Sequence, residues 1–202
     1  MATSPQPPFL LSTSINIDGI RSSTSNGSVL PNVLDILDIN GNGAPDLFIS
    51  KISWADKGDT AQAPILILDF LSPNPRQFTL TLNGEPLKTQ FVARLISSDF
   101  NHDGFDDLFL IESGPDHEPW SGGKSLLVQG AAAGPVVSIP SSFPTEFNHG
   151  ASAGDLNRDG LEDIFVVTGN GQIGKTDSYA VLIANSYAQS KVVDLTTLQP
   201  TF

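Results

Sequence analysis

The chain has 202 residues, 39% of them hydrophobic, which is enough for one all-β domain with a sizeable core. A formal charge of -12, from 22 acidic and 10 basic residues, disfavours nucleic acid and anionic lipid as partners, and the absence of cysteine excludes disulfides and thiolate sites. With 18 Gly and 15 Pro, every apolar run breaks well before the ~20 residues of a membrane span, so no membrane insertion is expected.

Residues 1–8 are proline-rich and read as a disordered leader, with neither the basic start nor the small-residue cleavage site of a signal peptide. Phe9–Ile17 alternates as a strand, and the polar run Arg21–Ser28 reads as a loop, so residues 9–29 form a partial unit or closing strand. From residue 30 the chain repeats. Three units, 30–88, 89–147 and 148–202, each run strand (Val33–Leu37; Val92–Ser97; Ala151–Gly154), acidic loop, strand (Leu47–Ser50; Leu108–Ile111; Ile164–Thr168), then a polar loop. A third strand (Ile65–Phe70; Ser125–Gln129; Ala180–Ala184) and a fourth (Phe78–Leu82; Val136–Ile139; Val192–Leu195) complete each unit. Four strands per unit describe a propeller blade, and three units fall short of the usual ~4 to 8 blades. The expected fold is therefore all-β, a β-propeller-like array of about three four-stranded blades that is an arc or fragment of a larger ring. Its two raw flanks invite self-association through open blade edges.

The three acidic loops carry the chemistry. They are Asp38, Asn40, Asn42, Gly43, Ala44 and Asp46; Asp99, Asn101, Asp103, Gly104, Phe105 and Asp107; and Asp155, Asn157, Asp159, Gly160, Leu161 and Asp163, at loop positions 1, 3, 5, 6, 7 and 9. Side-chain oxygens at 1, 3, 5 and 9 with a backbone carbonyl at 7 are how a tight loop wraps a hard, oxygen-seeking cation, and the glycine at 6 permits the sharp turn. The first aspartates are 99 − 38 = 61 and 155 − 99 = 56 residues apart, a repeat of supersecondary size. An EF-hand would place a bidentate Glu at position 12, but Ile49, Leu110 and Val166 stand there, inside apolar strands. Each loop thus joins two strands. Calcium is expected over magnesium, which keeps several waters, and two to three ions are expected. Loop 1 has only Asp38 and Asp46 charged and is expected to be the weakest site. The bland alternative for all three is a metal-free turn, since Asp, Asn and Gly are ordinary turn residues.

The loops and the strand after each resemble FG-GAP (VCBS-type) repeats, the blades of integrin alpha-subunit propellers and of many bacterial secreted proteins. His149-Gly150-Ala-Ser-Ala-Gly-Asp155-Leu-Asn-Arg-Asp-Gly-Leu-Glu-Asp163-Ile is the nearest match, with His149-Gly150 in the place of Phe-Gly and Thr168-Gly169-Asn170 a degenerate Gly-Ala-Pro. The resemblance covers about residues 30–200 and implies a calcium-binding β-propeller with its ligand-facing side opposite the loops. The segments between second and third strands would lie there, and they carry Trp54 and Asp56, then Asp116, His117 and Trp120, then Lys175 and Asp177. Trp54, Asp116, His117 and Trp120 are the candidate ligand-binding residues, against the alternative that both Trp residues cap their own blades.

No catalytic constellation emerges. Gly150-Ala-Ser152-Ala-Gly154 fits the G-x-S-x-G pattern, but a nucleophile elbow needs a following helix and a later His, and none of the three histidines follows His149. The expected function is a non-catalytic, extracellular or cell-surface module that binds an unknown protein or carbohydrate. Millimolar external calcium would fill weak sites with Kd of roughly 10⁻⁴ to 10⁻³ M. The rival is a propeller part or accessory domain of a secreted hydrolase or polysaccharide lyase, which a cluster of His and carboxylates would favour.

Overall fold

Short runs of β-branched and aromatic residues between Gly, Asn and Pro turns leave no room for a helical period, and the computed structural model contains strands and no helix among its described residues. Those residues are 22–24, 27–55, 61–114, 123–139, 147–155, 158–169, 178–183 and 191–194. Strands β1 (Ser22–Thr24), β2 (Gly27–Leu37), β3 (Asp46–Ala55), β4 (Ile65–Leu68) and β5 (Arg76–Phe78) form one antiparallel sheet in that order. A hairpin of β6 (Thr81–Leu82) and β7 (Glu85–Pro86) leads to a second sheet of β8 (Val92–Ser98), β9 (Asp107–Glu112), β10 (Ser125–Gln129) and β11 (Val136–Ser138). The third sheet holds β12 (Phe147–Gly154), β13 (Asp163–Gly169), β14 (Ser178–Ile183) and β15 (Lys191–Asp194). Each sheet is an antiparallel meander, and none closes on itself.

The structure departs from the sequence reading at three places. The polar run Arg21–Ser28 is no simple loop: Ser22–Thr24 pairs with Gly27–Val29, extending β2 backward to Gly27. The strand read as the fourth of the first unit is Arg76–Phe78 (β5), not Phe78–Leu82. Asn83 and Gly84, at φ 55 and 84, make a two-residue turn that pairs Thr81 and Leu82 with Pro86 and Glu85 instead. Lastly, β3 runs on to Ala55, because β2 is long enough to pair with it as far as Gly27.

Register sorts the side chains onto two faces of every sheet, since cross-strand partners share a face. In the first sheet Asp35, Phe48, Leu66 and Phe78 share one face, and Ile36, Leu47 and Ile67 the other. In the second, Leu95, Leu110 and Leu126 share one face, and Ile96, Phe109 and Leu127 the other. Phe48 and Leu66 pack with Leu108, Leu110, Leu126 and Val128 in a core between the first two sheets. Phe109, Ile111 and Leu127 pack with Ile164 and Val166, flanked by Ala151 and Ala153, in a core between the second and third. The middle sheet is therefore covered on both faces, which is why Asp107–Glu112 is buried at every residue and its sequence shows no polar alternation. Burial of each such large apolar side chain stabilises by roughly 1.5–3 kcal/mol. Leu80 and Leu87, joined by a Leu87 N–H to Leu80 carbonyl bond of 2.8 Å, bring the β6–β7 hairpin into the first core.

The strands that precede the acidic loops adjoin in successive sheets: β2 lies against β8, and β8 against β12. Polar bonds fasten the first of these junctions. The Asn32 side chain donates to the Val92 carbonyl at 2.6 Å, and the Ser97 hydroxyl to the Asp35 carboxylate at 2.8 Å. This arrangement sets all three acidic loops at the same end of their sheets, between β2 and β3, β8 and β9, and β12 and β13.

Candidate metal centre

The three loops share a left-handed backbone at two positions. The fourth residue is left-handed in each, Gly41 at φ 66, His102 at 56 and Arg158 at 64, and so is the sixth, Gly43 at 81, Gly104 at 89 and Gly160 at 89. At the sixth position a Cβ would be strained by that φ although nothing crowds it, so the glycine is required by conformation and not by space. His102 and Arg158 are exposed, consistent with side chains that leave the loop.

The described oxygens of positions 1, 3 and 5 turn toward the loop interior, where they accept backbone N–H groups. The Asp38 carboxylate accepts Asn42 N–H at 3.0 Å and Gly43 N–H at 2.8 Å, Asn40 Oδ1 accepts Asn42 N–H, and Asn42 Oδ1 accepts Ala44 N–H at 2.8 Å. Loop 2 repeats this: Asp99 accepts Asp103 and Gly104 N–H at 3.0 and 2.9 Å, Asn101 Oδ1 accepts Asp103 N–H, and Asp103 accepts Phe105 N–H. In loop 3 Asp155 accepts Asp159 and Gly160 N–H, and Asp159 accepts Leu161 N–H. Asn157 lies outside the described residues. The seventh residues Ala44, Phe105 and Leu161 are half-buried at the loop's return to the sheet.

The ninth position behaves differently. Asp46, Asp107 and Asp163 each open a strand and are fully buried. Asp46 accepts Ile39 N–H at 3.0 Å and Asp69 N–H at 2.7 Å, and Asp107 accepts Gly130 N–H at 2.8 Å. Asp69 and Gly130 directly follow β4 and β10, so this carboxylate ties the loop to the end of the strand paired with its own. Burial pushes the Asp46 carboxyl above its ordinary value, against the two backbone N–H groups, and the nearby Asp69 and Asp38 charges push the same way.

Neighbouring loops interlock. Asp38 N–H donates to the Asp106 carboxylate at 2.7 Å, Asp106 N–H donates to the Asp38 carbonyl at 3.1 Å, and Ala131 N–H to the Ile39 carbonyl at 3.0 Å. A Cβ on Gly41 would stand 2.6 Å from the Phe105 ring, and one on Gly130 would stand 2.5–2.7 Å from Asp106 O, Phe105 Cβ and Ile39 O. Asp69 and Gly130 lie outside the nine-residue loops, and Asp106, at position 8 of loop 2, is not among the positions the pattern specifies. The exclusion of side chains at Gly130 is not visible without the fold.

The donor set suits a hard cation: it is all oxygen, with three carboxylates in loops 2 and 3, while soft thiolates are absent from the chain. Among the described residues no three acidic or histidine side chains are already gathered for a metal. The ninth-position carboxylates of the first two sheets face backbone N–H groups instead.

Of the remaining sequence candidates, Trp54 and Ser152 are described, and they lie in different sheets. Trp54 sits in β3 opposite Ser28, in a strand and not in the loop expected for it. Asp116, His117 and Trp120 lie outside the described residues. Ser152 is in the middle of β12, paired with Phe165, and β12 runs into an acidic loop where a nucleophile elbow would need a helix.

Residues 99–166 match the family model of the FG-GAP-like repeat. The match begins at the first aspartate of loop 2 and ends within β13, spanning loops 2 and 3 but not loop 1. No match was found among curated proteins or among solved structures.

Proposed function

As an FG-GAP-type repeat protein, this chain is, we propose, a non-catalytic calcium-binding module: its sheets are the blades of a propeller arc, and the face opposite the loops takes an extracellular protein or carbohydrate. The observation that carries the reading is the left-handed backbone of the three loops at positions 4 and 6, with the oxygens of positions 1 and 5 turned inward in all three and of position 3 in loops 1 and 2. A cation drawn to those oxygens offsets the repulsion among carboxylates that otherwise share one turn. Calcium suits them better than magnesium because the donors are many and include neutral amide and carbonyl oxygens. Cell-surface or external placement follows from affinity, since weak sites fill only at millimolar calcium.

The propeller reading is supported by the adjoining strands β2, β8 and β12 and by the alternating cores between sheets. We assign the partner face to the loop-distal strand ends, near which Trp54 lies in β3 and after which, in sequence, Asp116, His117 and Trp120 follow β9. Leu34 and Ile36, 63% and 56% exposed on β2, are the residues through which an uncovered flank would self-associate. Thermal melts in millimolar calcium against chelator test the metal reading. We expect calcium to raise Tm by several degrees; a change under a degree leaves the loops as hydrogen-bonded turns.

A further inference from the structure

Both junctions between sheets are built on one pattern, carried by the strands that precede the acidic loops. Asp35, Ile96 and Ser152 stand three residues before the first aspartates Asp38, Asp99 and Asp155, and Ile36, Ser97 and Ala153 stand two before them. Pairing puts these two rows on opposite faces: the first row is opposite Phe48, Phe109 and Phe165, the second opposite Leu47, Leu108 and Ile164. The first row faces the following sheet, and the second row faces the preceding one. At the first junction the Ser97 hydroxyl donates to the Asp35 carboxylate at 2.8 Å, and at the second Ile96 and Ala153 pack on one core. Each time a larger side chain stands across from a smaller one.

Among the described residues no sheet precedes the first or follows the third. On the backward face of the first sheet Leu34 and Ile36 are 63% and 56% exposed, although their counterparts Leu95 and Ser97, then Ala151 and Ala153, are half-buried against a preceding sheet. On the forward face of the third sheet Ser152 is exposed, and with Gly154 and Phe165 it lines an open, mostly apolar depression. A Cβ added at Gly154 would meet nothing within 4 Å. The size order is inverted here, with the small residue on the forward face and the large one on the backward face. One flank thus offers two aliphatic knobs, and the other a place to seat them.

We propose that a second copy of this chain supplies the neighbour at both flanks: Leu34 and Ile36 of each copy seat on the Ser152 face of the other. The inference rests on the propeller-arc reading above and adds what meets its flanks. It repeats between copies the junction that the chain already makes twice within itself. Two copies of three such sheets bring six together, within the usual ~4 to 8 of a closed propeller. The contact is reciprocal across a two-fold axis, as a closed dimer requires.

The chain has no cysteine, so introduced thiols report without background. Chains carrying Ile36→Cys and chains carrying Ser152→Cys, mixed and treated with a short bismaleimide, should give a two-chain product that neither gives alone in comparable yield. In sedimentation equilibrium the wild-type chain should behave as two copies, and Ile36→Lys or Ser152→Arg should weaken that association by about tenfold or more. Both positions are exposed; should either variant melt early, the cross-link decides. A wild-type chain that sediments as one copy or as open-ended larger species overturns the proposal, as does an association that neither variant weakens or a mixture that yields no joined product. Asp35→Cys with Ser97→Cys in one chain keeps the arc reading separate, since that chain should be joined within itself. If it is, a monomeric wild type removes the second copy alone; if it is not, the arc and this inference fall together.

Discussion

Glu112 is the residue at which burial and charge meet most sharply. It is 5% exposed at the end of β9, its carboxylate accepts Gln90 N–H, and burial pushes it from 4.5 up to about 7 against that bond and the Lys124 charge. Because the folded chain holds this proton more tightly than the unfolded one, the stability it contributes is complete below about pH 4.5 and is lost as pH rises to about 7. At ~1.4 kcal/mol per pH unit the loss approaches roughly 3 kcal/mol. Glu112→Gln keeps the acceptor for Gln90 and removes the charge. Denaturant unfolding at pH 4.5 and 8 should show the wild-type chain losing stability between them by that order and the variant losing much less; parallel curves contradict the assignment. Nothing in Leu-Ile-Glu-Ser marked Glu112 as buried, because a charged residue closing a strand is usually solvated. The αL glycines and the inward Asp and Asn oxygens, by contrast, were legible from spacing alone, since a nine-residue loop with glycine at position 6 has few ways to turn.

At the scale of elements, the ninth-position aspartate is both the last loop residue and the first strand residue. Its bonds to Ile39 and Asp69, or to Gly130, make loop, second strand and third strand one unit. Asp107→Ala would leave the buried Gly130 N–H without its acceptor, at a cost of about 1–3 kcal/mol. Measured in chelator, where metal cannot contribute, denaturant unfolding should show that loss, and an unchanged midpoint contradicts the latch. Most strands were readable because their apolar runs are bounded by Gly, Asn and Pro. The exceptions have local causes. Thr79–Leu82 alternates like a strand of the sheet, yet the Asn83-Gly84 turn claims Thr81 and Leu82 for its own hairpin. Ser22–Thr24 is polar on every side and pairs only because β2 runs long beside it.

Across the whole molecule, sheets are joined by packing, and the first two also by loop-to-loop bonds, so these acidic loops bear on the junction as well as on their own turns. Gly130 shows how close that junction is: an added Cβ would meet two backbone oxygens and the Phe105 Cβ at 2.5–2.7 Å, and none of these is the free end of a flexible chain. Gly130→Ala should therefore cost about 1–3 kcal/mol, read as a lowered Tm, whereas Gly154→Ala, with nothing within 4 Å, should cost far less. Equal losses would mean the junction yields. The repeat of three units was plain in the sequence, but the sharing of cores and the Asp38–Asp106 pairing were not, because residues 68 apart in the chain carry no local signal of contact. The most direct measurement of the central claim is anomalous diffraction from a crystal grown in calcium. The account predicts an anomalous peak within reach of Asp99 and Asp103 and another beside Asp155 and Asp159. Water alone at both positions, in a well-ordered map, would contradict it.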